Sequence, residues 1–172
     1  MRYRLMTLLA LMVGLHALGQ TNTISIADFE IYPDSVIAVP VILDNDDETR
    51  GCQFNITLPQ GLQVVGHELT DFSHDYRMRL TFGQNAADEC YTVILFPSDR
   101  TCFPAGTEAI MTLSFKASGD FKGGRVALWK ERGSTVENKT IVMNDTVTMV
   151  TVPESVLNGI PIDIQQTFNT GM

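Results

Sequence analysis

Few residues of this 172-residue chain have the type and spacing that enzymes use for chemistry. His67 and His74 are the only histidines beyond the first nineteen residues, and neither stands at metal-ligand spacing from another histidine or a cysteine. The nucleophile-elbow, phosphate-loop and zinc-protease motifs are missing, and the carboxylates lie mostly in turn-like segments. The sequence therefore predicts a protein that is not an enzyme and that needs no cofactor.

Oxygen ligands for calcium are concentrated in residues 44–48, where four carboxylates and one amide follow one another. Calcium takes roughly six to eight oxygen atoms around one point. The glycine and the closing glutamate of an EF-hand loop are missing here, so we expect a solvated turn between two strands. Calcium binding at this run is the alternative, and a second set around Asn138, Asn144 and Asp145 is weaker.

Side chains suited to recognition share the outward face of one late strand. With Val126 and Leu128 inward, the alternation of a strand points Trp129 outward. The same face is predicted to carry two amides and two arginines, namely Gln53, Asn55, Arg77 and Arg79. This composition is typical of protein-binding hot spots. Sugar-binding platforms use several coplanar aromatic rings, and only Tyr91 could join Trp129 here, so a protein partner is favoured over a polysaccharide. The alternative is that Trp129 folds into the core and binds no partner.

The elements that must position these residues are β-strands, because apolar and polar residues alternate over most of the chain. No window of about eleven residues has helical spacing, and the one helical turn that we expect lies around residues 71–75. Turn residues separate nine predicted strands, at about 23–31, 35–43, 51–58, 62–66, 76–82, 90–97, 107–117, 125–130 and 140–151. Short strands without crossover helices predict an all-β, antiparallel β-sandwich.

Two of these strands differ in how clearly their sequence assigns the two faces. In residues 76–82 the even-numbered side chains from Met78 onward are apolar and face inward, while Arg77 and Arg79 face water. Residues 91–96 are apolar on both faces. That strand either lies centrally under cover or presents one face to a partner. The side chains presented in that case are Tyr91, Val93 and Leu95.

The first nineteen residues have the pattern of a signal peptide. Arg2 and Arg4 precede an apolar run over residues 5–18, and small residues then fit a signal-peptidase site before Gln20. The run is shorter than the roughly 20 apolar residues needed to span a bilayer, so a transmembrane anchor is the less favoured alternative. We predict a secreted or cell-surface protein with no membrane insertion after cleavage.

The rest of the chain is predicted to form one domain. We assign residues 20–152 to the sandwich and residues 153–172 to a C-terminal tail or linker. The formal net charge of the whole chain is -8 and the pI is about 4.7. Nucleic-acid binding needs clustered cations, so this charge argues against a nucleic-acid partner.

The strand sequences, taken in order, resemble a cohesin domain. The segments that carry the resemblance are ISI at 24–26, VIAVPVIL at 36–43, GCQFNITLP at 51–59, GLQV at 61–64, VILF at 93–96 and the strand within 106–117. The resemblance covers about residues 22–152. It implies a nine-stranded jelly-roll sandwich and a secreted, non-catalytic bacterial module that binds a dockerin-type protein. Alternatives are a related carbohydrate-binding module and a structural spacer of a surface protein.

The resemblance also implies where the partner binds, since cohesins use the face of strands eight, three, six and five. Carried onto this chain, the outward positions on strands three and six are Gly51, Gln53, Asn55, Leu95 and Ser98. Together with the strand pattern, this gives the candidate partner-binding residues Gln53, Asn55, Arg77, Arg79, Tyr91, Leu95, Ser98 and Trp129. Many dockerin-binding cohesins have amide and acidic residues where this chain has Gly51, Gln53 and Ser98. The fold and the partner are therefore separate predictions.

Three cysteines, Cys52, Cys90 and Cys102, leave at least one thiol unpaired. A turn at residues 97–100 would leave Cys90 about 17 Å from Cys102, beyond the disulfide limit of about 7 Å between Cα atoms. The resemblance makes strands three and six antiparallel neighbours and so implies Cys52–Cys102 as the one candidate pair. Three free thiols are the alternative.

Overall fold

A computed structural model describes residues 22–157, so the predicted signal peptide and residues 158–172 of the predicted tail lie outside the described residues. The described part of the chain contains eleven strands and two short helices. The strands are β1 Thr23–Ile26, β2 Phe29–Glu30, β3 Val36–Asn45, β4 Gly51–Thr57, β5 Leu62–Leu69, β6 Met78–Asn85, β7 Cys90–Pro97, β8 Gly106–Ala117, β9 Gly124–Ser134, β10 Thr140–Val142 and β11 Thr146–Thr151, and the helices are α1 Asp71–Asp75 and α2 Glu154–Leu157.

Two sheets pack face to face around one hydrophobic core, which confirms the predicted all-β sandwich. The smaller sheet has the order β1-β3-β8-β5, and the larger one has the order β2-β11-β9-β4-β7-β6, with β10 also paired to β9. Neighbours are antiparallel except β2 and β11, which are parallel. In the larger sheet, β9, β4, β7 and β6 stand side by side, as the resemblance implies for strands eight, three, six and five.

The strand count differs from nine because the first and last predicted strands each divide in two. The first leaves the smaller sheet at Ala27 and Asp28, and its second part pairs with β11 in the larger sheet. Asp28 Oδ1 accepts a hydrogen bond from the Met149 backbone N–H at 2.7 Å. The last predicted strand is interrupted at residues 143–145 between β10 and β11, both of which pair with β9. The buried positions change parity at both breaks, from Ile24 and Ile26 to Ile31 and from Ile141 and Met143 to Val150, and the predicted strands ran through that change.

The core forms where the alternating apolar residues of both sheets meet. Phe54 on β4, Phe115 on β8 and Leu128 on β9 are at most 1% exposed, and burying each such side chain contributes roughly 1.5–3 kcal/mol. Packing continues past the predicted boundary at residue 152, since Pro153 is buried and Val156 contacts the core.

The predicted helical turn is also present, as α1. The Thr70 hydroxyl caps it by accepting a hydrogen bond from the Ser73 backbone N–H at 3.3 Å. Within residues 22–157, neither helix has the length and apolar composition needed to cross a membrane.

Candidate binding face

The outer surface of β9, β4, β7 and β6 carries several of the candidate binding residues. We call this surface the open face. Its outward side chains are Gln53, Asn55, Thr57, Arg79, Thr81, Thr92, Ile94, Phe96, Ala127, Trp129 and Arg132. The opposite side of the same strands faces the core.

One register row crosses the centre of the open face. Thr81 on β6 lies opposite Ile94 on β7, Ile94 lies opposite Gln53 on β4, and Gln53 lies opposite Arg132 on β9. Phe96 lies one step along β7, opposite Arg79, and is 42% exposed. The centre of the face therefore offers two apolar side chains with an arginine on each side.

A second row, around Trp129, is packed together. Trp129 is on the open face and half-buried, and its indole Nε1 donates a hydrogen bond to the Thr57 hydroxyl at 3.0 Å. The Lys130 ammonium lies 4.6 Å from the centre of the indole ring. Asn55 is on the same row but only 7% exposed, and its Oδ1 accepts a hydrogen bond from the Thr92 hydroxyl at 3.0 Å. The prediction that Asn55 is available to a partner is wrong, because its neighbours cover it.

Arg77 and Ser98 lie at the end of the face rather than on it. The Arg77 guanidinium forms an ion pair with Asp99 at 2.9 Å, and the Arg77 carbonyl accepts a hydrogen bond from the Ser98 backbone N–H at 3.0 Å. Hydrogen bonds from the Thr101 hydroxyl and backbone, followed by the bond from Arg77, hold the pKa of Asp99 below its usual value. Asp99 is therefore ionised at neutral pH, and it neutralises Arg77.

Tyr91 and Leu95 face the interior, which corrects two of the candidate binding residues. Leu95 lies opposite the inward-facing Cys52 and is 1% exposed. The Tyr91 ring is partly buried and stacks on Phe82, with 5.2 Å between ring centroids. Because β7 is apolar on both faces, its sequence did not fix which set points inward; pairing with β4 does. Without Tyr91, the two-ring sugar platform considered from the sequence is not present.

The residues that the sequence analysis missed are the outward residues of that same strand, Ile94 and Phe96, together with Arg132. The sequence signal for Ile94 and Phe96 was a strand that is apolar on both faces. The candidate residues were taken from the face of that strand that points inward. Arg132 was missed because the predicted strand ended at residue 130, whereas β9 continues to Ser134 and its register against β4 shifts between Gln53 and Asn55. A shift of this kind displaces later side chains relative to a strict alternation.

A shallow groove of about 290 Å³ runs along the start of β4, between β7 and β9. Its lining includes Gly51, Gln53, Phe96, Arg132 and Thr140. Gly51, which has no side chain, forms part of the floor between Phe96 and Arg132. Such a groove fits an inserted side chain better than an enclosed small molecule.

We expect Gly51→Ala to destabilise the protein by about 1–3 kcal/mol. A Cβ atom on Gly51 would lie 2.7 Å from the Leu95 carbonyl oxygen. The Leu95 carbonyl belongs to the backbone and cannot rotate away as a side chain can, so β4 and β7 would have to separate. Urea unfolding measures the loss. Gly83→Ala is the matched control, because a Cβ there has no atom within 4 Å; equal losses in the two variants would contradict the packing argument.

The open face is electropositive although the chain is acidic. Within residues 22–157, the outward positions of its four strands carry no carboxylate, and the one acidic residue in those strands, Glu131, is buried. Arg79 and Arg132 are exposed, and neither forms an ion pair with another described residue. The face thus complements a surface that combines apolar and acidic groups.

The cysteines lie apart from the open face or beneath it. All three are within the described residues and are free thiols, so the implied Cys52–Cys102 disulfide does not form. Cys52 points into the core, whereas Cys102 lies in the loop after β7, near the charges of Glu48 and Arg50. Burial, with a smaller contribution from Glu131, raises the pKa of the Cys52 thiol to about 12.

The acidic run at residues 44–48 begins at the end of β3 and continues into a turn that hydrogen bonds from Asn45 hold in place. Asn45 is buried, and its side-chain amide donates hydrogen bonds to the carbonyls of Asp47 at 2.6 Å and Pro104 at 3.0 Å. Across residues 22–157, no group of three or more His, Cys, Asp or Glu side chains is placed to hold a metal ion.

Comparison with solved structures identifies the fold. No family model and no curated protein matches the sequence. A type I cohesin of Clostridium thermocellum, solved in a cohesin–dockerin complex, matches with a TM-score of 0.64 and 16% identity over 77% of this chain and 99% of that one. A non-cellulosomal cohesin of Archaeoglobus fulgidus matches with a TM-score of 0.61 and 14% identity over 81% and 97% of the two chains. This chain has the cohesin β-sandwich fold.

Proposed function

We propose that this protein is a secreted, non-catalytic recognition module that binds a dockerin-type protein partner through the open face. The observation that carries the proposal is the centre of that face, where half-buried Ile94 and exposed Phe96 lie between two exposed arginines that form no ion pair with another described residue. Similar solved structures include cohesins in complex with dockerins, such as the sixth cohesin of scaffoldin B from Acetivibrio cellulolyticus. Fold likeness alone does not assign a partner, so the chemistry of the face must carry the argument.

The chemistry of the face defines what a partner must bring. Ile94 and Phe96 would be desolvated by apolar side chains, and buried aromatic anchors of this kind supply most of the binding energy in protein interfaces. Arg79 and Arg132 would be matched by carboxylates of the partner, which steer the encounter and fix its register. A helix with an apolar stripe bordered by acidic residues has this composition, and its side chains fit the groove beside Gly51.

Export is the second part of the proposal and rests on residues 1–19. The arginines, the apolar run and the small residues before Gln20 support a cleaved signal peptide.

The test is a titration of the purified protein with a panel of purified dockerin modules, including those of the complexes compared above. We expect one-to-one binding by calorimetry with at least one dockerin. Arg132→Glu should weaken it at least tenfold, because the new carboxylate faces the partner's acidic groups. Lys116→Glu, an equal charge change at an exposed position on the outer face of the smaller sheet, is the matched control and should bind like the unmodified protein.

Two outcomes would contradict the proposal. One is the absence of binding to every dockerin tested. The other is an equal loss for Arg132→Glu and Lys116→Glu, which would place any interaction elsewhere or make it a general effect of net charge.

A further inference from the structure

Strand β6 is a long edge of the larger sheet, and its one charged side chain, Arg79, lies on the open face. It pairs only with β7, over its whole length from Met78 to Asn85, and that pairing has no register shift. It contains no proline. The outer backbone N–H and C=O groups of an edge strand are free to pair with another chain, and natural sheets usually blunt such edges.

The other sheet edges of this protein are blunted. The edge strands β1, β2 and β10 have four, two and three residues. The long edge strand β5 is interrupted by a register shift between Val64 and Gly66. Among the described residues, β6 is therefore the exception, because it is both long and regular.

Apolar side chains accompany this free edge. Leu80 and Phe82 point inward from β6 but are only partly buried. The Phe82 ring stacks on His67 of β5, with 4.5 Å between ring centroids, and Val65 of β5 is 50% exposed. The side of the sandwich at which β5 and β6 face each other is thus incompletely covered.

We infer that β6 pairs antiparallel with β6 of a second copy of this chain, around a two-fold axis at Thr81. This register is self-complementary. It places Arg79 of each copy opposite Gly83 of the other. Gly83 has no side chain, and a Cβ atom added there would have no other atom within 4 Å. It also places Leu80 of each copy opposite Phe82 of the other, so that these partly buried side chains cover each other.

The two-fold axis of such a pair is perpendicular to the sheet, so both open faces point to the same side. The dimer would present two copies of one binding surface, and a partner carrying two sites would gain avidity without any new contact. The dimer itself does not depend on the proposed function, since it needs no partner protein.

Sedimentation equilibrium of the purified protein over a wide concentration range tests the inference. We expect a monomer–dimer equilibrium with a dissociation constant on the order of 100 µM, because one strand pair buries less area than a stable dimer interface. Gly83→Lys puts a second cation opposite Arg79 and should weaken dimerisation at least tenfold. Gly83→Glu puts a carboxylate there and should strengthen it several-fold.

The two substitutions occupy the same open position, so their comparison separates charge from bulk. Circular dichroism and thermal unfolding of both variants check that the monomer is intact. A protein that remains monomeric at the highest concentration would overturn the inference. So would a dimer that Gly83→Lys and Gly83→Glu change equally. Failure of dockerin binding would leave these measurements unaffected, so the two proposals fail separately.

Discussion

Raising the pH from about 4.5 to about 7 is expected to reduce the free energy of unfolding by about 2–3 kcal/mol through one carboxyl group, Glu131. Glu131 lies on β9 between the two sheets and is 3% exposed. Burial is the main cause that raises its pKa to about 7, from a usual value of 4.5. In this pH window the folded state holds a proton that the unfolded state has lost. Stability therefore falls as the pH rises.

The geometry around Glu131 shows what its buried carboxyl group contributes to the fold. One carboxyl oxygen accepts a hydrogen bond from the Ile24 backbone N–H at 2.8 Å, and the other accepts one from the Thr146 hydroxyl at 3.3 Å. These hydrogen bonds lower the pKa of Glu131 and so act against the increase that burial causes. The nearby Asp145 carboxylate raises the pKa further. Glu131 thereby joins β1 of the smaller sheet to β9 and β11 of the larger one.

Glu131→Gln is the informative variant, because the amide oxygen can still accept the Ile24 hydrogen bond and the side chain never ionises. Urea unfolding of both proteins between pH 4.5 and pH 8 should show a decline for the unmodified protein that is absent or much smaller in the variant. The two should be close in stability at pH 4.5 and differ most at pH 8. Parallel curves would contradict the assignment. Asp99 and Asp120, whose pKa values are lowered, affect stability only at more acidic pH.

The sequence predicted the strands and the faces wherever polar and apolar residues alternate strictly. β6 is the clear case, since Met78 is buried and Arg79 is exposed as the pattern required. β9 is another, with Val126 and Leu128 in the core and Trp129 outside. In such strands the burial requirement alone fixes the orientation, because a one-residue slip would expose the whole apolar row.

The candidate site was predicted less well, for two physical reasons. In β7 both faces are apolar, so burial does not choose between Leu95 and Phe96, and only the pairing with Cys52 across β4 decides. Exposure also depends on neighbouring strands that a single strand's sequence does not contain. Asn55 faces outward, yet the side chains around it cover it.

The cysteine pairing illustrates a third limit. Antiparallel neighbours do bring the start of β4 near the end of β7, as the resemblance implied. A disulfide also needs both side chains on the same side of the sheet. Cys52 points into the core and Cys102 follows β7 in a loop, and spacing along the chain carries no information about that difference.

Phe96→Ala is expected to cause the largest loss of partner binding, about 2–4 kcal/mol, or roughly 30-fold to 1000-fold in the dissociation constant. Phe96 is the large apolar side chain of the central open face that is most exposed in the free protein, at 42%. It borders the groove beside Gly51, and Arg79 lies opposite it on β6. An aromatic ring in this position can be fully desolvated by a partner, whereas alanine leaves a gap.

Val36→Ala is the matched control for this experiment. Val36 is 57% exposed on β3 of the smaller sheet, so the substitution also removes apolar surface, but on the opposite side of the sandwich. Calorimetric titration with the same dockerin should show a near-unchanged dissociation constant for Val36→Ala. Both variants should unfold within about 1 kcal/mol of the unmodified protein, since neither side chain is buried. Retained affinity in Phe96→Ala would mean that a partner contacts this domain at some other surface.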